Sequence, residues 1–259
     1  MRRILILGGT TEARRLAERL AGRHDLAVTL SLAGRTANPV AQPVPVRIGG
    51  FGGAEGLAAH LVAERIDVLI DATHPYAAII AANAARAAAS SGVPLLGLRR
   101  PPWVAVAGDR WTEVDDAGAA VRALGDAPRR VFLALGRNDI APFVAAPQHH
   151  YLVRSVDPVE PPLRVPRASY VTGRGPFKQA DDRVLLTAHG IDIVVCKNSG
   201  GAATYGKIAA ARILGLTVIM LRRPALPAVP AVETIEDALA WIDLDLIDHA
   251  PLPCAEREV

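Results

Sequence analysis

The sequence predicts an α/β protein made of two doubly wound, parallel-sheet domains related by an internal repeat, and three observations carry that prediction. Short apolar runs such as Ile4-Leu5-Ile6-Leu7 lead into glycine turns that open helices. The series Ile66-Asp67-Val68-Leu69-Ile70, polar turn, alanine-rich helix, strand and Leu98-Arg99-Arg100-Pro101 recurs from Ile191-Asp192-Ile193-Val194-Val195 to Leu221-Arg222-Arg223-Pro224. After each Arg-Arg-Pro a proline-containing connector leads to an acidic helix start, Asp115-Asp116-Ala117 in one copy and Glu236-Asp237-Ala238 in the other. The shared order marks two Rossmann-like halves, with an active cleft expected between them beyond the carboxyl ends of their strands.

In chain order, the first strand runs into Gly8-Gly9-Thr10-Thr11-Glu12-Ala13, a turn that offers backbone N–H groups to a pyrophosphate at a helix N-terminus. The glycines are adjacent rather than spaced, and a tight strand-to-helix turn needs glycine with no ligand present. The helix expected from Thr11 to Arg23 has one apolar stripe, Ala13, Leu16, Ala17 and Leu20. A second strand, Leu26 to Leu32, ends in Ser31-Leu32-Ala33-Gly34-Arg35, with no Asp or Glu between Val28 and Arg47. An NAD site places a carboxylate at this strand end, whereas Ser31 and Arg35 suit the 2′-phosphate of NADP(H). A solvated Arg35 is the plainer alternative. A third strand, Val44 to Ile48, precedes Gly49-Gly50-Phe51-Gly52-Gly53 and a helix from Glu55 to Arg65. Gly50, Phe51 and Gly52 are candidate cofactor contacts, against the alternative of a flexible loop.

The fourth strand ends in Asp71-Ala72-Thr73-His74-Pro75-Tyr76, where a nicotinamide would lie. Thr73 and His74 are candidate cofactor contacts, Tyr76 a substrate contact, and His74 or Tyr76 a proton donor; His before Pro also simply shapes turns. The second half differs where chemistry would differ. Its first turn is Gly136-Arg137-Asn138-Asp139 after the strand Val131 to Leu135, and its fourth is Lys197-Asn198-Ser199-Gly200-Gly201, followed by Thr204-Tyr205-Gly206-Lys207. Glycines, hydroxyls and ammonium groups at a helix start make an anion site, for which Arg137, Lys197, Asn198, Ser199, Gly200, Thr204 and Lys207 are candidates; ordinary helix capping is the alternative. Gly173-Arg174-Gly175-Pro176-Phe177-Lys178 is a further cationic loop, a mobile cover or a plain turn, and Tyr205 a further proton-donor candidate. His149-His150 lacks partners at metal-ligand spacing, so no metal is expected.

Composition bounds the rest. The chain has 259 residues, is 51% hydrophobic with mean hydropathy +0.23, and can bury two modest cores. A formal charge of +3, scattered along the chain, does not suggest a nucleic-acid partner. Two cysteines, Cys196 and Cys254, make no disulfide framework. Met1 leads straight into the first strand and no apolar run reaches spanning length, so the expected location is cytoplasmic and no membrane partner is expected. The repeat sets the domains at 1–124 for NADP(H), 125–245 for substrate and 246–259 as a loose tail. Arg99 to Pro102 is nevertheless the more linker-like stretch, and the long connectors leave open an exchange of edge strands.

Taken together, Gly-Gly-Thr-Thr-Glu-Ala (8–13), Ser-Leu-Ala-Gly-Arg-Thr (31–36), Gly-Gly-Phe-Gly-Gly (49–53), Asp-Ala-Thr-His-Pro-Tyr-Ala (71–77) and Lys-Asn-Ser-Gly-Gly (197–201) resemble the precorrin-6A reductase family of cobalamin biosynthesis, from the first strand to about residue 243. The resemblance implies NADPH-dependent reduction of one C=C bond of the corrin precursor precorrin-6A to precorrin-6B; a monomer or small homo-oligomer is expected. It also implies that Gly8, Gly9, Thr10, Ser31, Arg35, Gly50 and Gly52 face the cofactor. The substrate would be a polycarboxylate tetrapyrrole, with or without cobalt, whose rim Arg137, Lys197, Lys207 and Arg174 would hold. A short-chain dehydrogenase is disfavoured, because none of Tyr76, Tyr151, Tyr170 and Tyr205 has Lys four residues on. A non-enzymatic NADP(H) sensor is the remaining alternative; it needs the first half's turns but not the second half's cations.

Overall fold

The computed structural model describes residues 1–34, 40–137 and 139–248. In chain order the elements are β1 (Arg2–Leu7), α1 (Thr11–Leu20), β2 (Leu26–Leu32), β3 (Val46–Ile48), α2 (Ala54–Ala63), β4 (Val68–Asp71), α3 (Ala78–Ser91), β5 (Leu95–Leu98), β6 (Arg110–Val114), α4 (Ala117–Leu124) and β7 (Arg130–Ala134). A short 3-10 turn (Ala141–Ala145) precedes β8 (His150–Ser155), β9 (Ala168–Thr172), α5 (Gln179–Ala188), β10 (Ile193–Lys197), α6 (Gly206–Leu214), β11 (Thr217–Leu221), β12 (Ala231–Val232) and α7 (Ile235–Asp248).

Two six-stranded sheets result, β12-β5-β4-β1-β2-β3 and β6-β11-β10-β7-β8-β9, and all their pairings are parallel. In each, the order reverses at one point: between β1 and β4 in the first sheet, between β7 and β10 in the second. Crevices that take ligands open at such reversals, beyond the carboxyl ends of the strands.

The first unit comprises Met1–Ala33, Ala41–Arg100 and the segment beginning at Leu226. Its centre is β1, buried from Ile4 to Leu7 because helices cover both faces. The α1 stripe packs as its spacing predicts: Ala13, Leu16, Ala17 and Leu20 are buried in one cluster with Ile4, Ile6, Val28, Leu30 and, from α7, Ala238 and Ile242. On the opposite face Leu5, Leu7 and Leu69 meet Leu57 and Leu61 of α2 and Ala84, Ala87 and Ala88 of α3. In the second unit, which includes Pro101–Ala225, Phe132, Leu152, Val194, Cys196, Val218 and Met220 form one sheet face beneath Leu186 of α5 and Ile208, Ala210 and Ala211 of α6.

Strand pairing corrects the boundary expected at 124/125. β6 pairs with β11, so residues 101–124 belong with the second sheet; β12 pairs with β5, so the chain from Leu226 belongs with the first. Each sheet takes its sixth strand from beyond an Arg-Arg-Pro connector, and the chain changes unit at Arg100-Pro101 and again at Ala225-Leu226. The tail expected from 246 is also shortened, since α7 continues to Asp248. Thr234 and Asp237 cap that helix reciprocally, the Asp237 N–H donating to Thr234 Oγ1 at 3.1 Å and the Thr234 hydroxyl to Asp237 Oδ2 at 2.6 Å. Among the described residues, no helix is long and apolar enough to cross a membrane.

Candidate functional site

At the reversal of the first sheet, the turn after β1 and the loop after β4 are tied together. The Thr10 hydroxyl donates to the Ala72 carbonyl at 2.7 Å and accepts from the Ala13 N–H at 3.1 Å, capping α1. Such a cap stabilises by about 0.5–2 kcal/mol. Thr10 thus shapes the turn with its side chain, and Ala13, expected at the cofactor, is a core residue whose N–H is already taken. Gly8 donates to the Ser31 carbonyl at 2.9 Å, and a Cβ there would come within 2.6 Å of Leu30. Gly9 has φ +108, is exposed, and an added Cβ would meet nothing within 4 Å. The amides of Gly9, Thr10 and Thr11 precede the α1 ladder at its positive end.

The loop after β4 is organised by buried Asp71, whose Oδ1 accepts the Thr73 hydroxyl at 2.6 Å and the Thr73 N–H at 3.2 Å. Arg99 at the end of β5 lies 3.9 Å from its other oxygen. His74 Nδ1 accepts the Tyr76 N–H at 3.3 Å, and the two rings lie 5.7 Å apart. With Nδ1 accepting, the neutral ring carries its proton on Nε2. Beside α1, Arg100 is ion-paired with Glu12 in the first helical turn.

Ser31 is buried, and Arg35 lies outside the described residues. The structure brings forward a residue that the sequence reading passed over. Arg47, in β3 and in direct register with Ser31, donates to the carbonyls of Gly49 and Gly50 at 2.6 and 2.8 Å. Its guanidinium lies 3.8 Å from the centre of the Phe51 ring, and the Phe51 and His60 ring centres are 5.2 Å apart. Burial, with Arg47 next in weight, holds His60 below the usual imidazole range. Phe51 is therefore engaged within the unit, whereas Cβ atoms added at Gly49, Gly50 or Gly52 would project into open space. A sequence signal existed: a lone arginine two residues before a glycine-rich loop, opposite the serine already singled out.

In the second unit the sequence-predicted anion site comes apart. Lys197 pairs with Asp139 at 2.7 Å across the reversal of that sheet. Lys207 is 3% exposed: its ammonium donates to the Thr204 carbonyl at 2.6 Å, lies 4.8 Å from the Trp103 ring, and burial lowers its pKa to about 8. Asn198 is also buried and embraces the Trp103 backbone, accepting from its N–H at 2.8 Å and donating to its carbonyl at 2.9 Å. A Cβ on Gly200, where φ is +69, would come within 2.2 Å of the Pro101 carbonyl. Lys207, Asn198 and Gly200 therefore hold the Pro101–Trp103 segment against the core. The loop 173–178 is likewise no loose cover, because the Phe177 N–H bonds the Ala203 carbonyl at 2.9 Å and its ring stacks on Arg154. Arg137 and Arg174 remain exposed, and Ser199 and Thr204 half-buried, at the carboxyl edge of this sheet. The Tyr205 hydroxyl accepts from Arg212, which also pairs with Asp109 at 2.8 Å. Tyr205 borders an open hollow of about 600 Å3 with Trp103, Phe177 and Gly201. Among the described residues, 141–145 after β7 form a 3-10 turn where the first unit has the ten-residue helix α1 behind its glycine turn.

Comparison with known proteins bears on this arrangement. The family profile described as precorrin-6x reductase CbiJ/CobK matches residues 3–243. The chain is 59% identical to the precorrin-6A reductase of a Sinorhizobium species, over 92% of this chain and 91% of that protein. It is 53% identical to the precorrin-6A reductase of Rhodobacter capsulatus, over 98% and 99%. It is 29% identical to the cobalt-precorrin-6A reductase of Salmonella typhimurium, over 92% and 93%. A solved structure described as CobK precorrin-6A reductase superposes with a TM-score of 0.91 at 52% identity, covering 98% of this chain and 99% of that one.

Proposed function

This chain belongs to the precorrin-6x reductase family and reduces precorrin-6A, and from that premise we propose that its reductant is NADPH, held at the carboxyl edge of the first sheet. The observation that carries this reading is the turn at Gly9. Its exposed amides stand at the N-terminus of α1, where the sheet order reverses and where four glycines (9, 49, 50 and 52) leave space that side chains would fill. These residues suit a bound dinucleotide: the amides of Gly9 and Thr10 would meet its pyrophosphate, and Ser31, Arg35 and Arg47 its 2′-phosphate. When bound, NADPH supplies the hydride for the C=C bond.

The chain's own part is to hold, orient and protonate. The Thr10–Ala72 bond fixes the pyrophosphate turn against the loop that carries Thr73 and His74. His74, its ring oriented through Nδ1, presents Nε2 as the donor position for the proton that goes to the carbon beside the one reduced. Holding two reactants in register accounts for about 7–11 kcal/mol of a barrier in well-oriented systems. Arg137 and Arg174 of the second unit would take carboxylates of the substrate rim; Lys197 and Lys207 are not assigned that role, given their partners. Support for a cobalt-free substrate comes from the names of the 59% and 53% identical relatives, whereas the cobalt-precorrin relative is only 29% identical. A cytoplasmic location fits a biosynthetic reductase whose described cysteine, Cys196, is a buried free thiol.

The test is a spectrophotometric assay of NADPH and NADH against precorrin-6A and cobalt-precorrin-6A. Macrocycle-dependent oxidation of NADPH, fastest with the metal-free substrate, is the expected result; equal use of NADH would overturn the cofactor assignment. In the same assay Arg47→Ala should raise KM for NADPH about tenfold or more, the scale of a lost charge-assisted hydrogen bond, and change KM for NADH far less. Equal rises for both would remove Arg47 from phosphate recognition and leave it a support of the Gly49–Gly50 loop.

A further inference from the structure

At the amino-terminal ends of its strands, the second sheet carries a hollow of about 280 Å3 that the reductase reading does not use. Arg130, His150, Arg167, Ser169 and His189 line it above Leu152, and no Asp or Glu is among its lining residues. Register explains the convergence. Arg130 and His150 are direct partners across β7 and β8, so they share one sheet face. Arg167 immediately precedes Ala168, the partner of Tyr151, and so flanks His150 from the β9 side. His189 ends α5 and closes the remaining side.

The two guanidiniums are anchored but not saturated. Arg130 Nε donates to the His189 carbonyl at 2.5 Å, and Arg167 Nη2 to the Gln148 carbonyl at 2.9 Å. Each anchor uses one of five N–H donors and fixes the plane of the fork. Asp192 accepts the backbone N–H of Arg130 at 2.8 Å and does not line the hollow. His150 is held below the usual imidazole range, by burial first and then by Arg167 and Arg130. Two guanidiniums converging on one hollow beside an imidazole, with no acid among the residues lining it, make an arrangement that a dianion relieves.

We propose that this hollow is a second, non-catalytic site that binds a tetrahedral dianion, either free phosphate or the phosphoryl group of a small metabolite. The forks of Arg130 and Arg167 and the hydroxyl of Ser169 offer the directed donors that phosphate oxygens accept. Lying at the amino ends of parallel strands, the site stands at the edge of this sheet opposite the turns after β7 and β10, so occupancy does not compete with ligands there.

Ring signals of His150, identified by their loss in His150→Gln, report the outcome when the full chain is titrated with inorganic phosphate, glycerol 3-phosphate and citrate. A saturable shift with one or both phosphates, together with a raised imidazole pKa, is the expected result, and the tighter of the two identifies the source. Arg167 is exposed and caps no helix, so Arg167→Ala should keep the fold and weaken phosphate binding about tenfold or more. No saturable shift, a response unaltered in Arg167→Ala, or binding of citrate alone would overturn the proposal.

Discussion

Asp182→Ala should lower the free energy of unfolding by about 3–5 kcal/mol, read as a fall in the urea midpoint. Asp182, in the first turn of α5, is 2% exposed and ion-paired with Arg154 of β8. The guanidinium lies 3.8 Å from the Phe177 ring centre and 4.9 Å from that of Phe132. Without the carboxylate a buried guanidinium would be left against two aromatic rings with the buried Lys207 ammonium nearby, and that uncompensated charge is the source of the cost. The double replacement Arg154→Met, Asp182→Ala should therefore recover more than half of the loss. A double variant as unstable as the single one would trace the cost to packing. Because Phe177 anchors the loop that carries Arg174, Asp182→Ala should also raise KM for precorrin-6A while leaving KM for NADPH within about twofold, a split consistent with additivity between separate sites.

Gly9→Ala should raise KM for NADPH and NADH alike by about tenfold to a hundredfold. At φ +108 an L residue is strained by about 1–3 kcal/mol. The added methyl would meet no protein atom within 4 Å, so it intrudes only on what the turn receives. Gly125→Ala is the control: it too has positive φ (+73) and open space around it, but it ends α4 in the second unit. That variant should lose stability and keep both KM values. Equal kinetic losses in the two variants would mean that backbone strain, rather than occupancy of the turn, is being measured.

Much of the architecture was legible because local signals and tertiary structure agreed. The run Ile4 to Leu7 and the stripe Ala13, Leu16, Ala17 and Leu20 each specify one arrangement, and the structure has it. The exchange of edges was not legible beyond a possibility. Which sheet accepts the strand Arg110–Val114 depends on pairing with β11 more than a hundred residues on, and periodicity carries no address. In the first unit's turns the side chains depart from the sequence reading: Thr10 bonds inward, Ala13 is core, and Arg47 went unnoticed.

The second unit's misreadings share one physical cause. A polar group near glycines suits a ligand site and a buried backbone clamp equally, and only the environment separates them. For Lys207 that environment was partly written in the chain. Ile-Ala-Ala-Ala follows it, and residues 206–211 are all buried, so the helix start has no solvated side for an ammonium. Asn198 gave no such signal, since its partner, the backbone of Trp103, is 95 residues away.

Amide hydrogen exchange with and without NADPH tests the central claim most directly. Protection gained at residues 8–12, 49–53 and 72–76, with little change at 136–139 and 198–204, is the result expected if the first unit's glycine turns hold the hydride carrier. Protection confined to the second unit's turns would contradict it.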